Sequence, residues 1–113
     1  MKLSQIAKDL EFEIRTAADY LDVDVTRGYS SDLLSDVIAN ANEGDLWVTL
    51  QTHQNIVAVA VMKSLAAIVL VNGREPEEGT KTKAEDENIP IMITKMSTFE
   101  LIGRLFNMGI VGR

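Results

Sequence analysis

Short apolar runs separated by polar segments make up most of this chain. Leu46 to Leu50 and Ala66 to Val71 are rich in strand-forming residues, which is typical of sheet strands buried on both faces. Ile56 to Met62 is ambiguous, because its β-branched residues suit a strand whereas its alanines and its length also permit a buried helix. A helical crossover between two parallel strands is the economical interpretation, so we predict a helix over residues 55–64.

The segment after Gly28 predicts another helix, which begins within Tyr29 to Asp32. Ser30 or Ser31 can cap its free amide groups, and Asp32 suits the positive end of the helix dipole. The apolar residues that follow are spaced to form one face of this helix, and they are Leu33, Leu34, Val37, Ile38 and Ala41.

The last helix has a well-marked beginning and end. Ser97 and Glu100 match a capping box, and Gly109 lies where a helix commonly stops. Its expected apolar face consists of Leu101, Ile102, Leu105 and Phe106.

The other segments complete an alternation of helices and strands. Ser4 to Leu10 predicts a short helix, and Phe12 to Ile14 and Asp22 to Val25 alternate as strands do. Glu77 to Asn88 is polar enough for a solvated surface helix, and Ile89 to Ile93 predicts a last strand. The order predicts a single three-layer α/β/α domain with a mostly parallel sheet, spanning all 113 residues.

The composition excludes several classes of function. Apolar residues make up 46% of the chain and charged residues 25%, which is the balance of a globular domain. The net charge of −6, from 11 Lys and Arg against 17 Asp and Glu, leaves no broad basic field, so nucleic acid is not an expected partner. The absence of cysteine excludes disulfides, thiolate metal sites and a cysteine nucleophile, and we expect neither a metal nor a cofactor.

Neither export nor membrane insertion is expected. The first residues, MKLSQIAKDLEFE, place charges where a signal peptide needs an apolar core. The longest apolar stretch, Ile56 to Met62, is far shorter than the roughly 20 residues needed to cross a bilayer. We therefore expect a cytoplasmic protein.

Four polar loops are the best candidates for a binding site. Ligands of open α/β sheets bind beyond the carboxyl ends of the strands, where helix amino termini also point. The candidate ligand-binding residues in these loops are Tyr29, Ser30, Ser31, Asp32, Thr49, Gln51, Thr52, His53, Asn55, Asn72, Gly73, Arg74, Thr94, Ser97 and Thr98. Hydroxyls, amides, two cations (Arg74 and Lys95) and a Tyr29 ring that can stack on a base suit a nucleotide-like ligand. Alternatively, Ser, Thr and Asn occur there because turns and helix starts favour them.

Three of these loop positions have a second interpretation. His53, the one histidine, can act as a general base, but a lone loop histidine is more often solvated. Asp32 and Asp36 are one helical turn apart and can hold a metal ion or form an exposed face. Arg74 can clamp an anion or pair with a nearby acidic residue, and its neighbours favour the pair. Those neighbours are Glu75, Glu77 and Glu78.

The sequence contains no established motif for phosphoryl or hydride transfer. It has no GxxxxGK[ST] loop, G-x-G-x-x-G turn, H-E-x-x-H helix or G-x-S-x-G elbow. We therefore predict no catalytic residues.

The stretch GYSSDLLSDVIANANEGDLWVTLQTHQNIVAVA closely resembles the DRTGG domain family. The similarity continues through AAIVLVNGREPEE, IPIMITK and STFELIGRL, so it covers nearly the entire chain. Such domains resemble the non-catalytic amino-terminal domain of HPr kinase, and they also accompany CBS domains in regulated pyrophosphatases and occur in phosphotransacetylases. The resemblance implies a fold like that of the HPr kinase domain, a regulatory or assembly role without chemistry, and a helix at 55–64.

One departure from the family pattern concerns its name-giving signature. The Asp-Arg-Thr-Gly-Gly sequence should follow the central strand, where this chain has Leu50-Gln51-Thr52-His53-Gln54. The signature arginine and glycines are missing, so any anion contact that they provide in other members is in question here.

Three functions remain open from the sequence. The first is a regulatory or sensor domain that binds an adenine-nucleotide-like ligand at the carboxyl edge of the sheet. The second is a ligand-free interaction module that forms a homodimer and docks an unknown protein partner, with Val111 and the exposed side of the last helix contributing. The third is a small hydrolase or phosphotransferase that uses His53 with Asp32.

Overall fold

Five short strands form one sheet, in the order β1-β5-β4-β3-β2, in the computed structural model, which describes residues 1–112. The strands are β1 (Glu13–Ile14), β2 (Gly28–Ser30), β3 (Leu46–Thr49), β4 (Ala67–Leu70) and β5 (Ile91–Ile93). Strands β2 to β5 are parallel, and β1 pairs with β5 in the antiparallel direction. The prediction of a mostly parallel sheet is therefore confirmed.

Helices cover both faces of the sheet, which confirms the three-layer prediction. They are α1 (Leu3–Asp9), α2 (Leu34–Asn40), α3 (Asn55–Lys63), α4 (Glu78–Asp86) and α5 (Thr98–Asn107). Helices α1 and α5 pack on one face, and α2, α3 and α4 pack on the other. Even the longest, α5, has only 10 residues, and no helix within residues 1–112 has the length and apolarity to cross a membrane.

The central strands are buried on both faces, as their continuous apolar runs predict. Leu46 and Val48 of β3 point into the core beneath α1 and α5, whereas Trp47 between them points into the core beneath α2 and α3. Every residue of β3 and β4 is buried. The ambiguous segment between these strands is a helix over Asn55–Lys63, which confirms the crossover prediction.

The predicted positions of the first parallel strand and the helix after it are wrong. Asp22 to Val25 forms no strand, only an isolated bridge from Asp24 to Lys2. The strand lies instead at Gly28–Ser30, and the ladder extends to Ser31, whose N–H donates to the Val48 carbonyl at 3.3 Å.

Because pairing with β3 holds Ser30 and Ser31 in the sheet, neither serine caps the helix. Helix α2 begins only at Leu34, after an N-cap Leu33 that has no side-chain cap. The Ser31 hydroxyl accepts from the Leu33 N–H at 3.2 Å, within the turn that leads into the helix.

The apolar faces of α2 and α5 are narrower than predicted. Val37 and Ala41 of the α2 region are buried, but Leu33 is 65% exposed. In α5, Leu101 and Leu105 are buried, whereas Ile102 and Phe106 are 41% and 63% exposed. The amino end of α5 agrees with the prediction, since the Ser97 hydroxyl accepts from the Glu100 N–H at 3.2 Å.

Candidate functional site

The loops that follow β2, β3, β4 and β5 lie side by side along one edge of the sheet. The four strands are parallel, and their last residues are in register, with Ser30 opposite Val48 and Leu70 opposite both Thr49 and Ile93. The carboxyl edge therefore carries three of the candidate loops and the end of the first, Ser31 and Asp32, whereas Gly28–Ser30 of that predicted loop is β2 itself.

On the β2–β3 side of this edge, Asp32 fastens two loops together. Its carboxylate Oδ1 accepts from the Thr49 hydroxyl at 2.9 Å and from the Leu50 N–H at 2.7 Å. Its carbonyl accepts from the Gln51 side-chain amide at 2.9 Å. The donors that a bound anion would need at this point are already bonded to a carboxylate of the chain itself.

Thr52 joins the same loop to helix α4. Its carbonyl accepts from the Glu77 N–H at 3.2 Å and from the Thr80 hydroxyl at 2.7 Å, and Thr80 is fully buried. The Thr52 contribution is thus a main-chain contact that positions α4.

Tyr29 points away from the edge, towards helix α2. Its ring packs against the core beneath α2 and α3, and its hydroxyl donates to the Asp36 carboxylate at 2.8 Å. This hydrogen bond lowers the pKa of Asp36, with Ser31 and Asn40 adding to the effect, and it raises the pKa of Tyr29. The geometry therefore gives no support to a Tyr29 ring that stacks on a base at the edge.

The geometry gives no support to the metal-site interpretation of Asp32 and Asp36. Asp32 precedes α2, so the two carboxylates are not one helical turn apart, and they bind different partners. Within residues 1–112 no group of three or more His, Cys, Asp or Glu side chains could hold a metal ion.

His53 is exposed, and its side chain belongs to the beginning of helix α3. The Nδ1 atom accepts from the N–H of Asn55, the first residue of the helix, at 3.1 Å. In the part of the chain that the structure describes, no hydrogen bond or ion pair joins His53 to Asp32. The pair that the enzyme hypothesis requires is not assembled.

On the β4–β5 side of the edge, a tight turn joins two loops. Asn72 and Gly73 both have positive φ angles, of 59° and 67°. Their N–H groups donate to the carbonyls of Met96 at 2.9 Å and Thr94 at 2.8 Å. The turn after β4 is thereby fixed to the segment that leads into α5.

The β4–β5 side carries two exposed cations, Arg74 and Lys95. A Cβ atom at Gly73 would lie 3.9 Å from the Lys95 Cγ, so Lys95 lies beside the turn that contains Arg74. Among residues 1–112 neither cation forms an ion pair. We call Gly73, Arg74 and Lys95 the cationic spot.

The predicted pairing of Arg74 with its acidic neighbours is wrong. Glu75 instead forms a two-point ion pair with Arg15, with both N–O distances at 2.8 Å. Arg15 lowers the pKa of Glu75, and Glu75 raises the pKa of Arg15. Glu78 pairs with Lys81 at 2.9 Å, so these carboxylates have partners other than Arg74.

The other candidate residues near the cationic spot stabilise the local chain. The buried Thr94 hydroxyl accepts from the Met96 N–H at 3.2 Å. Ser97 caps α5, and Thr98 is the first residue of that helix. Of the predicted site residues on this side, Arg74 has the side chain that is most available to a ligand, because its guanidinium group forms no ion pair among the described residues.

A cavity of about 230 Å³ lies between β2 and α5, and no sequence pattern predicts it. Its floor consists of Gly28, Ser30 and Val48, and its apolar walls include Ile102, Phe106 and Val111. The small residues of β2 leave the space, because they face α5 and fill little of the volume beneath it. We call this cavity the β2–α5 slot.

Comparisons with known proteins agree with this architecture. A family model described as the DRTGG domain matches residues 6–108. Among solved structures, the chain is similar to the CBS and DRTGG domains of the regulatory region of Clostridium perfringens pyrophosphatase, complexed with the activator diadenosine tetraphosphate. The TM-score is 0.71 at 15% identity, over 97% of this chain and 47% of that one.

This likeness shows a shared fold, and the chain spans about half the length of that regulatory region. In the comparison with curated proteins nothing matches. The family resemblance seen in the sequence is confirmed, because the family model covers nearly the whole chain. The chain belongs to the DRTGG domain family.

Proposed function

We propose that this protein is a non-catalytic regulatory domain that binds an adenine-nucleotide-like ligand, with the ligand's phosphates at the cationic spot. The single observation that supports this is the pair of exposed cations, Arg74 and Lys95, which have no ion-pair partner within residues 1–112. Lys8 and Lys63 also form no ion pair among these residues, but they lie on different helices, whereas Arg74 and Lys95 lie beside one turn.

The geometry of the turn favours phosphate as the group that is bound. The N–H groups of Gly73 and Arg74 already donate to the carbonyls of Thr94 and Val71, so the side chains of Arg74 and Lys95 are the groups that would bind phosphate. The φ of 67° at Gly73 favours glycine, which adds no side chain beside the two cations. A guanidinium and an ammonium group that are not neutralised by neighbouring carboxylates attract phosphate oxygens strongly.

The absence of the Asp-Arg-Thr-Gly-Gly signature after β3 supports the cationic spot, rather than the loop after β3, as the phosphate site. The place of the missing signature arginine and glycines follows β3, where the Leu50 N–H and the Thr49 hydroxyl are held by Asp32. An anion would have to displace that carboxylate, whereas Arg74 and Lys95 form no ion pair among the described residues, and Glu11 and Glu13 share a surface cavity with Lys95 without pairing with it.

The comparison with the pyrophosphatase region supports an adenine nucleotide as the first ligand class to examine. That region was crystallised with diadenosine tetraphosphate, and it contains CBS domains as well as a DRTGG domain. We extend only the class of ligand to this chain.

Calorimetry with ATP, AMP and diadenosine tetraphosphate tests the proposal. We expect ATP and diadenosine tetraphosphate to bind more tightly than AMP, because more phosphate charge faces the two cations. The double variant Arg74→Ala and Lys95→Ala should weaken ATP binding by about tenfold, since each exposed charge contact contributes up to ~1 kcal/mol.

The matched control removes the same charge elsewhere, through Lys8→Ala and Lys63→Ala, and should bind ATP as the wild type does. Lys8 and Lys63 lie near the carboxyl ends of α1 and α3. Absence of heat with all three ligands at millimolar concentration would remove the proposal.

A second candidate function is an interaction module that forms a homodimer and docks a protein partner. It is favoured by an exposed apolar stripe on α5, which consists of Phe99, Ile102 and Phe106. Light scattering at increasing concentration should show a dimer, and a strict monomer at high concentration would count against this function.

A further inference from the structure

The α5 stripe and the β2–α5 slot form two complementary parts of one surface. Phe99, Ile102 and Phe106 follow the i, i+3, i+7 spacing that places side chains along one side of a helix. They are 91%, 41% and 63% exposed, and Ile102 and Phe106 are also walls of the slot. A projecting aromatic ring and a cavity that opens beside it therefore lie on the same face.

We propose that this face is the interface of a two-fold homodimer, in which Phe99 of each copy enters the β2–α5 slot of the other. This inference rests on the second candidate function and specifies its partner as a second copy of the chain. When two α5 helices cross in antiparallel directions near Gly103, Phe99 of one copy lies opposite Phe106 of the other, which is beside the slot.

The volume of the slot suits a phenyl ring. It measures about 230 Å³, and an apolar cavity of ~150 Å³ is already large enough to bind benzene. Apolar walls and a small-residue floor provide the surroundings in which a phenyl ring loses its contact with water. The occupant thus matches the cavity in both size and chemistry.

The exposed apolar area is of the order that a stable dimer needs. An aromatic side chain can bury roughly 150–250 Å², so Phe99 and Phe106 together expose on the order of 300 Å². A standard interface buries ~800 Å² per partner, somewhat more than half of it apolar. Ile102, Val111 and the walls of the slot add to the two rings, which brings the face close to that requirement.

The charges on α5 permit two acidic copies to meet at this face. Each copy has a net charge of −6, which opposes association at most of the surface. Glu100 and Arg104 pair with each other on another side of α5, so Phe99, Ile102, Gly103 and Phe106 form an uncharged surface. Gly103 has no atom within 4 Å of the position of an added Cβ, so it leaves room for a second helix to approach.

Light scattering and sedimentation of Phe99→Ser test the contact directly. We expect a dissociation constant at least about a hundredfold weaker than that of the wild type, because each dimer loses two buried aromatic side chains. The matched control is Leu33→Ser, which removes a 65% exposed apolar side chain from the opposite layer and should leave the dimer unchanged. Urea unfolding of both variants should show wild-type stability.

A second variant tests the slot without changing α5. Gly28→Ala adds a methyl group to the floor of the slot, 3.5 Å from the Ile110 Cγ2, which is an ordinary contact. It should weaken the dimer, whereas Gly79→Ala, a glycine-to-alanine change on α4, should not.

Crosslinking tests the crossing geometry, since the chain has no cysteine of its own. A bismaleimide should join two copies of Gly103→Cys much faster than two copies of Ala58→Cys, which is exposed on α3. A dimer that Phe99→Ser leaves intact would overturn this interface while the interaction-module function stands. A wild-type protein that stays monomeric at millimolar concentration would overturn both.

Discussion

The two sides of the carboxyl edge contain similar residues but use them in different ways. On the β2–β3 side, the hydrogen-bonding groups of Asp32, Thr49 and Gln51 are joined to one another and to the main chain. On the β4–β5 side, the turn is equally well fixed, yet Arg74 and Lys95 project from it without ion pairs among the described residues. A polar loop can thus stabilise the fold or bind a ligand. The difference lies in whether its side chains already have hydrogen-bond or ion-pair partners within the protein.

Among variants on the two sides of the edge, Asp32→Ala should lower the free energy of unfolding the most. This change removes the acceptor for the Leu50 N–H and leaves the buried Thr49 hydroxyl without its carboxylate partner. We expect the free energy of unfolding to fall by about 1–2 kcal/mol, since hydrogen bonds to a charged group are strong but Asp32 is exposed. Urea denaturation measures this change.

Asp86→Ala is the control, because it removes the same charge from the last residue of α4. Equal stability of Asp32→Ala and the control would show that the β2–β3 side is not held by this carboxylate.

The Tyr29–Asp36 contact should make the free energy of unfolding depend on pH. Tyr29 holds the pKa of Asp36 below its ordinary value of 3.8, so the contact stabilises the fold above that pH and is lost as the pH falls through the lower, folded pKa. In Tyr29→Phe the strongest donor is gone, so the pKa of Asp36 should rise towards its ordinary value, and the acid-induced loss of stability should be smaller and complete at a higher pH. An NMR titration of the Asp36 carboxyl carbon would contradict this if its midpoint did not move.

His53→Ala should have a smaller effect. The exposed imidazole accepts one hydrogen bond at the beginning of α3, so the free energy of unfolding should fall by about 0.5 kcal/mol. ATP affinity should remain unchanged, because the ring lies in the β3–α3 loop and not at the cationic spot. Calorimetry of this variant provides the check. A marked loss of ATP affinity would indicate that the ligand binds on the β2–β3 side instead.

The smallest effect on stability should come from the cationic spot itself. Arg74→Ala and Lys95→Ala should each change the free energy of unfolding by less than about 0.5 kcal/mol, since exposed side chains without partners contribute little. Thermal unfolding without ligand measures it. A large destabilisation by either variant would mean that the cation has a structural partner and that the two sides are alike.

The sequence predicted best the parts of the fold that are buried on both faces. The runs at β3 and β4 are apolar throughout because no residue there meets solvent, and the helix between them follows from connecting two parallel strands. Strand β2 escaped prediction because Gly28, Tyr29 and Ser30 have little apolar pattern of their own. Pairing with Leu46 to Val48 makes them a strand, and that contact is distant in sequence.

The same limit applies to the candidate site. The sequence correctly located the loops after β3, β4 and β5 on one edge, since parallel strands all end there. The first predicted loop was wrong in part, because its residues Gly28–Ser30 form strand β2. It misassigned the partner of Arg74, because Glu75 is taken by Arg15, which lies 60 residues earlier in the chain. It also gave no sign of the β2–α5 slot, which arises from small residues of an edge strand that meet a helix from the end of the chain.

The most direct measurement of the central claim is an amide ¹H–¹⁵N titration of the protein with ATP. The account predicts that the largest shifts fall on Gly73, Arg74 and Lys95, and that those of Leu50 and Gln51 move little because Asp32 still holds that loop. Largest shifts at Leu50 and Gln51, or none at the cationic spot with saturating ATP, would contradict it.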